Sequence, residues 1–209
     1  EITFEYVNNK REGPHIIYFA PNGKGEKQVA IEANYHNGKL EGKAFEYSNT
    51  GKKIMEITYK NGLKDGKSYL YNEIGKILVE QTFIDNKKEG MQVQYFPNGK
   101  VQRETPYAAD QRNGVEKSYY ESGELASYYP YQDDAINGKA QNWNEKGILT
   151  FEGEYINGKR ERKFCKYFDN GVIALEQQFI GDQLDGVKKS YDLNGNVKIT
   201  RYEKGKKIE

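Results

Sequence analysis

Apolar and polar positions alternate in short runs along this chain, and the alternation recurs with a fixed step. In residues 59–83, YKNGLKDGKSYLYNEIGKILVEQTF, a short alternating run at 67–71 leads through a glycine-containing turn into a longer run at 77–83. Such period-two runs bounded by turn residues predict a β-hairpin. Helix is excluded by glycines every 9 to 15 residues, too close for helices of ordinary length. The hairpin repeats almost throughout. A ring stands at Tyr35, Tyr59, Phe83, Tyr107, Tyr131, Tyr155 and Phe179, each 24 residues from the last. Glycine keeps that step at Gly42, Gly66, Gly90, Gly114 and Gly138, gives way to Arg162, and returns at Gly186. Five residues after this position comes a second ring, at Tyr47, Tyr71, Tyr95, Tyr119, Trp143, Tyr167 and Tyr191. A second glycine follows at Gly51, Gly75, Gly99, Gly123, Gly147, Gly171 and Gly195. A fixed period of this length marks a repeat architecture.

The glycine of the second set ends a turn such as Asn72-Glu73-Ile74-Gly75, the composition of a type I turn with a G1 bulge. The turn between units has its own signature. Three residues after each ring of the first column, and after Tyr6 and Tyr202 in the partial units, stand Asn9, Gly38, Gly62, Asn86, Asp110, Asp134, Gly158, Asp182 and Gly205. All nine are Gly, Asn or Asp, the residues that tolerate positive φ, so the backbone requires that conformation there.

Side-chain parity along the second strand sorts the faces. One class holds Ile77, Val101, Leu125, Leu149, Ile173 and Val197 with Met55, Val79, Phe151, Leu175, Ile199 and the strand-ending ring. The other holds Glu32, Glu56, Glu80, Glu104, Glu152 and Glu176. With Tyr71 paired near Ile77, both ring columns are expected on the apolar face, and the glutamates on a solvated face balanced by lysines. The fold class expected is therefore all-β: an elongated, single-layer antiparallel meander of tandem hairpins, twisted or coiled. Its 17 candidate strands would span roughly 80 Å at ~4.8 Å each.

The whole chain, 1–209, reads as one continuous array. A partial unit, 1–12, precedes repeats starting at about 13, 42, 66, 90, 114, 138, 162 and 186, and the chain ends in mid-unit. The first complete unit is stretched by five residues around 23–34. An exposed edge strand at either end would invite self-association, as would the apolar face.

Composition sharpens the picture. Only 36% of residues are hydrophobic and mean hydropathy is −0.97, yet 18 residues are tyrosine. A thin layer packed by rings that keep their hydroxyls in water accommodates this better than a thick core. Basic and acidic residues number 32 and 31, net +1, which argues against a nucleic-acid partner and lends no support to anionic lipid. No apolar run approaches a membrane span.

Tyr35-His36-Asn37-Gly38-Lys39-Leu40-Glu41-Gly42 and Tyr155-Ile156-Asn157-Gly158-Lys159-Arg160-Glu161-Arg162, followed by further rings and glycines at fixed spacing, resemble the MORN repeat, specifically the bacterial MORN-variant family. The resemblance covers nearly the whole chain. It implies an extended antiparallel sheet used as an interaction or membrane-associated scaffold; some variant members carry an antitoxin label and others look exported. Arg162, Ala109-Asp110 and Asp133-Asp134 depart from the family pattern.

Candidate chemistry is sparse. His15 and His36 occupy non-equivalent positions, and Cys165 falls in the packing column of Ile16, Phe45, Tyr69 and Val93. No catalytic residue, metal site or cofactor is expected. The middle of the array departs from its own pattern: Tyr128 takes the place of a glutamate, Trp143 that of a column tyrosine, and Tyr119, Tyr120, Tyr129 and Tyr131 cluster nearby. Pro106 and Pro130 share one phase of the repeat. Exposed Tyr and Trp are enriched where proteins grip partners, so these six aromatics are the candidate binding residues, with Tyr120 and Tyr128 expected to form an exposed patch. The reading is a non-catalytic scaffold for a protein or glycan partner, exported or in the cell envelope. The alternatives are a cytoplasmic antitoxin-like protein and a lipid-headgroup binder.

Overall fold

The computed structural model describes residues 2–21 and 23–208, with side chains from residue 5 onward. No helix occurs among them. Twenty-two strands, five only two residues long, belong to one open antiparallel sheet, leaving the 17 longer strands expected. Four short pieces precede Gly42–Tyr47, Gly114–Tyr119, Gly138–Trp143 and Gly186–Tyr191. Each leading glycine there has positive φ, between 76° and 123°, a conformation shared by Gly66 and Gly90 inside the continuous strands Leu63–Tyr71 and Lys87–Tyr95.

Close contacts divide the chain into two compact units. One holds the described residues up to Lys100 together with Tyr107–Asp110; the other holds Val101–Pro106 and the described residues from Gln111 onward. In the first unit, Leu63–Tyr71 pairs with Ile77–Ile84. Gly66 faces Phe83, Tyr69 faces Glu80, and Tyr71 faces Ile77 after a one-residue shift. In the second unit, Gly138–Trp143 and Leu149–Ile156 repeat this: Gly138 faces Tyr155, Gln141 faces Glu152, and Trp143 faces Leu149 after the same shift. The expected pairing of Tyr71 with Ile77 is thus observed.

Both turn types follow from their residues. Within a hairpin, the Gly75 amide donates to the Asn72 carbonyl (2.9 Å) and Gly75 has φ +80°. Asn72 Oδ1 accepts from the amides of Ile74 and Lys76, the local bonding that makes Asn a turn former. Between hairpins both central residues have positive φ in all nine turns, from Asn8-Asn9 (50°, 62°) to Lys204-Gly205 (46°, 82°), as a type I′ turn demands. Ala109-Asp110 and Asp133-Asp134 keep this geometry without the Asn-Gly sequence, at 49°, 75° and 50°, 66°.

Apolar burial is confined. Ala33, Ala140, Phe164, Cys165 and Phe179 are the buried hydrophobic residues among those described. In the second unit Phe164 lies 5.0–5.9 Å, centroid to centroid, from Phe151, Tyr155 and Phe179. It fills the space left by Gly153, where a Cβ would come within 2.8 Å of three Phe164 ring carbons. Pro106 and Pro130 cover glycines in the same way: a Cβ on Gly114 or Gly138 would stand 3.0 Å from the proline Cγ.

Candidate functional site

The two faces are not divided as parity alone suggests. Tyrosines of the second ring column donate to glutamates of the preceding hairpin: Tyr47 to Glu32 (2.7 Å), Tyr71 to Glu56 (3.3 Å), Tyr119 to Glu104 (2.8 Å), Tyr167 to Glu152 (3.0 Å) and Tyr191 to Glu176 (3.4 Å). The expectation that both ring columns share the apolar face is therefore overturned. The cause is the bulge. The shift between Leu70 and Tyr71 sets Tyr71 against Ile77 but Leu70 against Val79, leaving Leu78 as the extra residue. Parity counted along the second strand inverts there, so Tyr71 joins the glutamate face.

The glutamates are not a solvated row either. Glu56 is buried and receives Lys43 (2.8 Å) and Lys53 (3.1 Å). Glu80, Glu152 and Glu176, with side chains 20–25% exposed, take Lys67 (2.6 Å), Lys139 (2.7 Å) and Lys163 (2.7 Å). Burial pushes the Glu56 and Glu152 carboxyls up, but hydrogen bonds from Lys43 and Lys53, and from Lys139 and Tyr167, leave both below the usual carboxylate value. Burial, reinforced by the carboxylate partner, pushes the Tyr47 and Tyr119 hydroxyls up to about 12.

The opposite face carries the other ring column, with cations laid over it: Arg11 on Tyr35 (5.3 Å), Lys64 on Phe83 (5.2 Å), Lys88 on Tyr107 (4.6 Å), Arg112 on Tyr131 (4.0 Å) and Arg160 on Phe179 (4.3 Å). These are cation–π distances. The same cations face the next turn, where Asp110, Asp134 and Asp182 accept from the amides of Lys88, Arg112 and Arg160. Where Leu40, Ile136 or Leu184 holds the cation's position, the second turn residue is Gly62, Gly158 or Gly205; Arg11 departs from the pairing, facing Gly38. This pairing is present in the sequence and was not read from it.

The six candidate aromatics fall on both faces and are all half-buried, so Tyr120 and Tyr128 form no fully exposed patch. Tyr129 and Tyr131 lie on the ring-and-cation face. Tyr119, Tyr128 and Trp143 lie on the glutamate face, and the Tyr120 hydroxyl donates to the Trp143 carbonyl (2.8 Å). Tyrosine follows glutamate by 15 residues in every other unit from Glu32 onward; at Tyr128 and Trp143 both partners change together. One step of the carboxylate–hydroxyl ladder is thus replaced by two aromatic side chains. Sequence reasoning found both residues but not that they occupy the two places of one glutamate–tyrosine step, because the 15-residue spacing acquires meaning only across adjacent strands.

His15 is buried against Tyr35, ring centroids 5.3 Å apart, and His36 is exposed with Nδ1 2.8 Å from Glu12. Cys165 is 2% exposed and burial pushes its thiol up, the opposite of an activated nucleophile. No group of three or more His, Cys, Asp or Glu side chains fit to hold a metal occurs among the described residues.

The family described as MORN repeat variant matches residues 40–61, 88–109, 112–133 and 184–206. Four repeats of the chain thus match the MORN repeat variant. The matched MORN stretches include Tyr119, Tyr120 and Tyr128, and the hairpins between them keep the same register, with tyrosine–glutamate bonds at Tyr71–Glu56 and Tyr167–Glu152. A search of curated proteins found no match. MORN repeats on an open sheet make this chain a repeat scaffold.

Proposed function

We propose that this scaffold is non-catalytic and holds a protein or glycan partner on its glutamate face, at the aromatic step formed by Tyr119, Tyr120, Tyr128 and Trp143, as an exported or cell-envelope protein. The observation that carries the reading is the joint replacement of Glu by Tyr128 and of Tyr by Trp143. A repeat that abandons its own hydrogen bond at one step, and places two half-covered aromatics there, has the composition of a binding surface.

The chain supplies its own fold-preserving control. The double substitution Tyr128→Glu with Trp143→Tyr restores the pattern of its other repeats, so the sheet should remain intact by circular dichroism. Wild type and the double variant are compared on immobilised glycans and on cell-surface protein fractions. Binding by wild type that the variant loses supports the reading; equal binding by both refutes the assigned surface. Fractionation with external protease tests the compartment. Digestion on intact cells agrees with export, whereas protection in the cytoplasm favours the antitoxin-like alternative, to be pursued through a co-purifying toxin. Capture on anionic vesicles that is equal for both proteins would instead favour headgroup association.

A further inference from the structure

The first unit holds a groove of about 620 Å³ between two neighbouring hairpin tips, lined by Lys52, Lys53, Tyr71, Glu73, Ile74 and Gly75. That volume is within the range of small-molecule sites, roughly 300–1,000 Å³. The chain departs from its own pattern here. The position of Lys53 is Ile77, Val101, Leu125, Leu149, Ile173 and Val197 in the later units. The lysine is half-buried, 3.1 Å from Glu56 and 4.3 Å above the Phe45 ring. Glu56 is already held by Lys43 and by the Tyr71 hydroxyl, so Lys53 is surplus to the carboxylate it touches. Lys52 is exposed and makes no ion pair among the described residues. Three lysines, Lys43, Lys52 and Lys53, thus stand against two carboxylates, Glu56 and Glu73. The apolar wall is the Tyr71 ring and Ile74, the latter 71% exposed at the hairpin tip.

We propose that this groove binds a small organic acid, its carboxylate held by Lys52 and Lys53 and its apolar body laid along Tyr71 and Ile74. Excess positive charge beside an uncovered apolar wall complements an amphipathic anion. A neutral ligand forgoes the charge-assisted bonds, and a cation would meet the excess positive charge of Lys43, Lys52 and Lys53 over Glu56 and Glu73. The groove uses none of the residues of the aromatic step, so the two proposals stand or fall separately.

Decanoate, decanol and decyltrimethylammonium are titrated into the full chain by calorimetry, below their aggregation concentrations. Decanoate is expected to saturate one site, with affinity at least about tenfold above decanol, and the ammonium compound is expected not to bind. Lys53→Ile, which copies the residue of later units and so keeps the fold, should weaken decanoate at least about tenfold, as should Lys52→Glu. Ile74→Asp should weaken decanoate and decanol alike. Equal affinity for decanoate and decanol overturns the proposal, as does the absence of saturable decanoate binding or unchanged affinity in Lys53→Ile with circular dichroism intact.

Discussion

Ala109 holds a left-handed backbone, φ +49°, at a turn position where Asn, Asp or Gly stands in most other units. An L-residue with a plain Cβ pays roughly 1–2 kcal/mol for that conformation, and Asn relieves part of it through local bonding. Ala109→Asn should therefore stabilise by about 0.5–1 kcal/mol in urea denaturation; a neutral or negative effect would show that the turn is held by other forces. Arg162 repeats the lesson at φ +59° where other units have glycine, its guanidinium 2.7 Å from Glu154. An exposed pair of this kind offsets little of the strain. The glutamates set the response to acid. The carboxyls of Glu56, Glu152 and Glu176 are all held below the ordinary carboxylate value in the folded chain. A depressed folded value means stability that is complete above the unfolded value and is lost as pH falls through the folded one. Stability should be level above about pH 5 and decline below about pH 4.5. Glu56→Gln should lower the plateau and shallow the decline, measured as urea midpoints against pH. At this scale the positive-φ requirement was legible, because few residue types tolerate it. The burial of Glu56 was not, because a carboxylate's environment is set by Lys43, Lys53 and Tyr71 from three different strands.

The hairpin is the element, and its bulge decides which side chains share a face. Its turns were legible down to the glycine that each requires, and so was the pairing of Tyr71 with Ile77. The face of Tyr71 was not, since one extra residue at Leu78 reverses a parity count that is otherwise exact along a strand. Packing between hairpins is similarly contextual. Gly153 and Phe164 lie on paired strands, one residue giving up volume that the other occupies. Phe164 is 6% exposed, so Phe164→Ala should cost about 3–5 kcal/mol by the usual cost of a buried aromatic. Thermal or urea unfolding would check this, and a loss under about 1 kcal/mol would mean the cluster with Phe151, Tyr155 and Phe179 collapses around the cavity.

Across the molecule, each hairpin contacts its neighbours in sequence, and a chain so built has stability that adds from intrinsic and nearest-neighbour terms. A lesion should be felt first by adjoining repeats. In Phe164→Ala, amide exchange should accelerate most in Leu149–Ile156, Lys159–Tyr167 and Ile173–Ile180, and least in Val29–His36; uniform acceleration would show one cooperative unit instead. The sequence by itself determined the hairpin repeat, the turn within it, a positive-φ position in the turn between hairpins and the 24-residue period, because these rest on local backbone demands that only certain residues meet at fixed spacing. Tertiary structure alone decided that the tyrosines lean onto the glutamates, that Tyr120 bonds the Trp143 carbonyl, and that Lys53 lines a groove. Each of those depends on which side chains meet across strands, and a bulge, a surplus lysine or an absent Cβ changes that meeting without disturbing the period that announces the fold.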